Sequence, residues 1–166
     1  MQYKMLICDD IKFMCQYFKS IFEELEDFDV IATATNKKEI VKCVDEYKPD
    51  VVLLDIQMDT AQTGIELIPY IKYVVPDAKI IMLSVNEDKD MIFKSIELGA
   101  DNYALKTNDI SKIIEIVTRT CKNDIVFEGV VAKKLLKISQ PSKVTKALFC
   151  LLFSSRQTYQ KASLTL

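Results

Sequence analysis

The stretch Val51-Val52-Leu53-Leu54-Asp55 sets four consecutive apolar residues directly before a carboxylate. An apolar run without alternation is how a strand buried on both faces of a parallel sheet reads. Similar short runs occupy residues 3–8, 29–33, 79–83 and 102–105, and four of the five are nearly continuous. Between them the apolar spacing changes to that of helices. Met14, Phe18, Ile21, Phe22 and Leu25 recur at helical intervals after the first run. Asn36 followed by Glu39 is a variant of the capping box and predicts a helix start. Lys48-Pro49 predicts its stop, because the residue before proline avoids helical geometry. A third pattern covers 65–75 and contains Pro69, a residue expected to be tolerated only in a first turn. A fourth ends at Gly99, an expected C-terminal cap. A fifth starts at Asn108 and carries Ile110, Ile113, Ile114 and Val117 on one face. Five strands alternating with five helices over residues 1 to about 122 predict a doubly wound, five-stranded parallel α/β sheet.

Composition narrows the chemistry. Apolar residues make up 49% of the 166 positions and charged residues 28%, with a net charge of −2, the balance of a globular protein without a dominant nucleic-acid surface. No histidine is present, which excludes histidine triads, histidine metal sites and any phosphohistidine role. Three glycines cannot build a glycine-rich phosphate loop. Five cysteines without a CxxC pair predict structural thiols in a reducing compartment, and the cytoplasm is the expected location. No apolar run approaches a membrane span, and Asp9 and Asp10 come too early for a signal peptide.

Ligands of open α/β sheets bind beyond the carboxyl ends of the strands. There the first run delivers Asp9 and Asp10, the third Asp55, the fourth Ser84 and the fifth Lys106. Each alone reads as a helix cap or a solvated loop residue. Together, three acids, a hydroxyl and a lysine converge on one edge. Neighbouring carboxylates repel unless a cation sits among them. An all-oxygen donor set with room for water suits Mg²⁺. A metal, a lysine and a hydroxyl around one carboxylate describe a phosphoryl-transfer site, with the carboxylate itself as the nucleophile.

The texts LICDD at 6–10, VVLLDIQM at 51–58, IIMLS at 80–84 and GADNYALK at 99–106 resemble the receiver domain of bacterial two-component response regulators, a (βα)5 flavodoxin-like fold. The resemblance covers residues 3 to about 122. It implies that Asp55 is the phosphoacceptor and that Asp10 is the main Mg²⁺ ligand, assisted by Asp9, Asp55 and the Gln57 backbone carbonyl. It further implies that Lys106 pairs with the phosphoryl group, and that Ser84 and Tyr103 are the switch hydroxyl and switch aromatic. The competing view of Tyr103 is a core aromatic with a wet hydroxyl. The partners implied are a sensor histidine kinase, or a small acyl phosphate as donor, and a second copy through helix 4, strand 5 and helix 5. Such a protein is a switch rather than an enzyme, catalysing only its own phosphorylation and dephosphorylation. GADNYALK followed by Thr107, with a helical pattern over 130–136, is most similar to the subfamily with a LuxR-type helix-turn-helix output, which makes transcription the expected output.

Several positions depart from the family pattern. Asp59 stands where proline is usual, and Gly64 lies nine residues after Asp55 instead of eight. Val85 replaces the usual alanine beside the switch hydroxyl and would narrow access to the phosphoryl group. Thr107 replaces a frequent proline; a cis bond there would cost roughly 3 kcal/mol, so trans is expected. Two other readings compete. A phosphatase of the haloacid dehalogenase type needs aspartate where Gln57 stands. A pseudo-receiver, acting as an interaction module without turnover, would be expected to lack one of the five site residues.

The expected organisation is a receiver over 1–122, a linker with a helix over 123–139 and a basic, apolar tail over 140–166. That tail holds four basic residues and no acidic one, whereas residues 1–139 carry a net −6. Four charges are few for a DNA interface, and the tail is too short for a LuxR-type output domain. It is expected to be disordered, or an apolar segment packed on the receiver or on a second chain.

Overall fold

The computed structural model describes residues 2–58, 63–85 and 88–124; the expected linker helix and the tail lie outside them. The chain separates into units Met1–Val131 and Ala132–Leu166, and the described residues all belong to the first. In order, the elements are β1 (Tyr3–Cys8), α1 (Lys12–Phe22), β2 (Phe28–Ala34), α2 (Lys37–Tyr47) and β3 (Val51–Asp55). They continue with α3 (Thr63–Val74), β4 (Lys79–Ser84), α4 (Lys89–Glu97), β5 (Asn102–Leu105) and α5 (Ile110–Cys121). The five strands form one parallel sheet in the order β2-β1-β3-β4-β5. The order reverses between β1 and β3, which opens a crevice at their carboxyl ends.

Alternation along the strands divides the core into two layers. Met5, Ile7, Val51, Leu53, Ile81, Leu83 and Ala104 join Phe18 and Phe22 of α1 and Ile113, Ile116 and Val117 of α5 in one buried cluster. Leu6, Cys8, Val52, Leu54, Ile80 and Met82 are buried on the opposite face, which α2, α3 and α4 cover. Double-sided burial is the reason the central strands read as unbroken apolar runs. The edge strand β2 is half exposed and keeps an interrupted pattern.

The caps confirm the sequence reading with small shifts. Asn36 Oδ1 accepts from the Glu39 N–H (3.0 Å), while Glu39 Oε2 accepts from the backbone N–H and the hydroxyl of Thr35. Lys48 closes α2 in the left-handed region (φ 47°). Gly99, at φ 109°, ends α4 as a Schellman motif: its N–H donates to Ile96 O, and the Ala100 N–H donates to Ser95 O. α5 starts one turn position later than Asn108 predicts, with Asp109 at the N-cap.

Pro69 is a correction. It lies seven residues into α3, well past the first turn. The lost backbone bond and ring clash cost about 3 kcal/mol. Leu67, Ile68 and Ile71 are fully buried around it, and burial of such side chains is worth about 1.5–3 kcal/mol each. Tertiary burial therefore carries the helix through the proline.

At the amino-end edge of the sheet, Asp101 ties three elements together. Its carboxylate accepts from the Ile80 N–H (3.0 Å) and pairs with Lys72 (2.7 Å) and Lys79 (3.5 Å). Lys72 also donates to Ala78 O (2.7 Å). This clamp sits at the end of the sheet away from the acidic residues.

Gly64 is required by close approach. A Cβ there would lie 1.9 Å from the backbone oxygen of Asp55. Gly64→Ala should destabilise the fold by about 3 kcal/mol, the upper end of overpacking costs. Gly99→Ala should cost about 1–2 kcal/mol, the left-handed penalty alone. Urea unfolding midpoints measure both, and a wild-type midpoint for Gly64→Ala would refute the backbone clash.

Candidate functional site

The crevice at the switch point is lined by strand ends. The sequence runs place Asp55 and Ser84 just beyond their strands, but the ladder extends to include both. Asp55 pairs with Leu83 and Ser84 with Leu105. The next backbone groups continue the pattern: the Ile56 N–H donates to Leu83 O (3.0 Å) and the Lys106 N–H to Ser84 O (2.7 Å). Asp55, Ser84 and Lys106 are thus set by the register of three adjacent strands.

Lys106 Nζ lies 2.6 Å from Asp9 Oδ2 and 3.0 Å from Asp55 Oδ2. The Asp9 side chain is fully buried, that of Asp55 is 6% exposed and that of Lys106 10%. The other carboxylate oxygens are also engaged. Asp9 Oδ1 accepts from the Ile11 N–H (3.0 Å), and Asp55 Oδ1 accepts from the Gln57 N–H (3.3 Å). Carboxylate oxygens of Asp9, Asp10 and Asp55 lie within 4.8 Å of one another, and Asp10 is the exposed member.

Electrostatics follows from burial and crowding. Burial pushes the Asp55 carboxyl up to about 6; Lys106 pulls it down and Asp9 pushes it up again. Burial would lower Lys106, but its hydrogen bond to Asp9 and the charge of Asp55 outweigh this and hold it above its ordinary value. One ammonium pairs with two of the three carboxylates. The remaining negative charge, the all-oxygen donors and the exposed Asp10 fit a hard divalent cation that keeps some of its water.

The seven residues singled out from the sequence fall into three groups. Asp9, Asp10, Asp55 and Lys106 converge, with Gln57 adjoining through its backbone N–H. Ser84 is buried, 4% exposed, at the end of β4. Tyr103 is a buried aromatic, 2% exposed, on β5. Asp59 lies outside the described residues. The Lys106–Thr107 bond is trans, as expected.

The sequence reading missed Cys15. Its thiol donates to the Asp9 carbonyl (3.3 Å), and burial followed by the Asp9 charge pushes it up to about 11. No sequence signal marks this contact, because it depends on how the first turn of α1 folds back on the end of β1. Among the described residues no helix is long and apolar enough to cross a membrane.

Comparison with known proteins places this geometry. The sequence model of the response regulator receiver domain matches residues 5–118. The chain is 37% identical over 119 residues to the chemotaxis protein CheY of Listeria monocytogenes, covering 72% of this chain and 98% of that one. It is 30% identical over 135 residues to the response regulator protein VraR of Staphylococcus saprophyticus, covering 81% of this chain. There it spans 64% of the relative's length. The isolated REC domain of RcsB from Salmonella enterica serovar Typhimurium, solved with the phosphomimetic BeF3⁻, shares the fold with a TM-score of 0.72. That likeness has 20% identity and covers 81% of this chain and 99% of that domain. Sequence match and shared fold agree, and the chain belongs to the response regulator receiver family, the phosphorylation-driven module of two-component signalling.

Proposed function

We propose that Asp55 accepts a phosphoryl group from a sensor histidine kinase, or from a small acyl phosphate, and that the resulting charge switches the domain. The observation that carries this reading is the placement of Lys106 Nζ 3.0 Å from Asp55 Oδ2, with Asp9 and Asp10 beside it. An Asp55 carboxylate oxygen attacks phosphorus, and the bond from phosphorus to the donor's nitrogen or acyl oxygen breaks. The backbone N–H of Gln57 holds Asp55 Oδ1, leaving Oδ2, on the Lys106 side, as the attacking oxygen. Lys106 then faces the new phosphoryl oxygens. Asp9, Asp10, Asp55 and the Gln57 carbonyl are the groups that would hold Mg²⁺. When bound, this cation neutralises charge on the phosphoryl oxygens.

In this reading the chain is a switch that catalyses its own modification and its reversal. The receiver occupies 1–122, the linker 123–139 and the tail 140–166, and the location is cytoplasmic. The whole protein's output is transcriptional, and DNA contact is not assigned to the tail. Phosphorylation adds roughly −2 charge, and this new charge competes with Asp9 for Lys106. Ser84, at the end of β4, turns toward the phosphoryl oxygen. Tyr103, buried on β5 two residues before the Leu105 that pairs with Ser84, responds through β5. The face formed by α4, β5 and α5 is then the surface that changes and pairs with a second copy. No observation favours a pseudo-receiver over this reading, since all five residues are present in the sequence and Asp9, Asp10, Asp55 and Lys106 lie together.

Asp55→Asn should abolish labelling by radioactive acetyl phosphate; undiminished labelling would refute the assignment. Val85, 54% exposed after β4, flanks the path of an in-line water. Val85→Ala should therefore speed loss of label from the phosphorylated protein, and an unchanged decay would show that crowding there is irrelevant. Sedimentation should show a larger dimer fraction with beryllium fluoride than without it, since such ligands shift populations already present. Identical distributions, with Asp55 shown to be modified, would exclude output through self-association.

A further inference from the structure

We propose that the Cys15 thiol is a positioning residue for the acidic pocket, setting its affinity for a divalent cation through the backbone of Asp9; this deepens, and rests on, the phosphoryl-transfer reading above. The corner at residues 9–11 carries both β1 carboxylates and leads directly into α1. That helix has Ile11 at its N-cap, no side-chain cap bond and no acidic residue in its first turn. The usual devices for holding a helix start are missing, and other bonds hold the corner. The Asp9 N–H donates to Ala34 O (3.1 Å). The Ile11 N–H donates to Asp9 Oδ1 (3.0 Å). The Cys15 thiol donates to Asp9 O (3.3 Å) and lies 3.7 Å from Ala34 O.

The carbonyl that Cys15 holds belongs to the peptide unit joining Asp9 to Asp10. Rotation of that unit moves both side chains relative to Asp55. The thiol thus acts on the two β1 members of the cation site at once, from the fourth residue of α1. It also bridges β1 to β2, because the Asp9 N–H bonds the same Ala34 carbonyl. Cys15 is 1% exposed and Asp9 is fully buried, so water does not compete for these bonds. A thiol has one proton to give, and the shorter contact, to Asp9, takes it. Burial at this level leaves the sulfur inaccessible as a nucleophile or redox centre, which leaves hydrogen bonding as its chemistry.

The test is Mg²⁺ titration of the full chain, followed by amide NMR shifts at Asp9, Asp10 and Asp55, for five variants and the wild type. Cys15→Ser keeps a donor and should bind Mg²⁺ like the wild type. Cys15→Ala, and Cys15→Val, which nearly keeps the volume, should each weaken binding about tenfold, the lower end for losing a group that orients a metal ligand. Ile71→Val, a core change on α3 beside the Asp101 clamp at the opposite end of the sheet, should leave affinity unchanged and controls for a general loss of stability. Asp10→Ala tests the site itself and should weaken binding at least as strongly. Wild-type affinity in both Cys15→Ala and Cys15→Val, with Asp10→Ala weakened, would overturn the role of Cys15 and leave the site intact. Equal weakening in Cys15→Ser and Cys15→Ala would also overturn it, since volume rather than the donor would then matter. No Mg²⁺ response in the wild type, or none lost in Asp10→Ala, would overturn the site reading and this inference with it.

Discussion

A single ammonium group, Lys106 Nζ, stands between two buried carboxylates from different strands. Burying an ion costs several kcal/mol even after relaxation. Asp9 and Asp55 bear that cost side by side, and Asp10 adds a third charge at the rim. The arrangement exists only because β5 brings its lysine to the same edge as β1 and β3. The carboxyl edge of the sheet is therefore built around a local excess of negative charge that one lysine offsets in part. Such a pocket is primed both for a cation and for a phosphoryl group whose own charge alters the division of Lys106 between its partners.

The remainder of the fold serves to hold these groups while the pocket stays open. Asp55 is the last residue of its strand, so its position follows the β3–β4 ladder instead of a loop. Gly64 allows the start of α3 to lie against the Asp55 backbone, which closes that side of the crevice without a side chain. At the opposite edge the Asp101 clamp joins α3, β4 and β5. Rigid attachment at the amino ends leaves the carboxyl ends as the place where charge can act. Asn102 adds a buried bond from β5 to α5, its amide donating to Thr120 Oγ1 at 3.0 Å. Movement of β5 is thus tied to α5, on the face expected to change.

The trans Lys106–Thr107 bond and the buried Tyr103 constrain the proposed switch. Lys106 reaches its partners from a standard strand end and needs no special backbone. Tyr103 is already inside, so in this conformation the space next to β5 is filled.

Strand number, order of elements and the gathering of Asp9, Asp10, Asp55 and Lys106 at one edge were legible in the sequence. Double-sided burial enforces unbroken apolar runs, and polar residues at the ends of such runs have one edge to occupy. The helix caps at Asn36 and Gly99 were legible for the same local reason: their hydrogen bonds close within a few residues. Tertiary structure alone decided the rest. Pro69 sits deep in α3 because burial of Leu67, Ile68 and Ile71 outweighs a local penalty. Lys106 chooses Asp9 as its shortest partner, 97 residues away, through strand order and register. Cys15 reaches the Asp9 carbonyl because α1 folds back over the end of β1. Spacing along a chain encodes periodicity and short-range bonds; which distant groups share a proton or a charge depends on packing between elements, and that is written in no single segment.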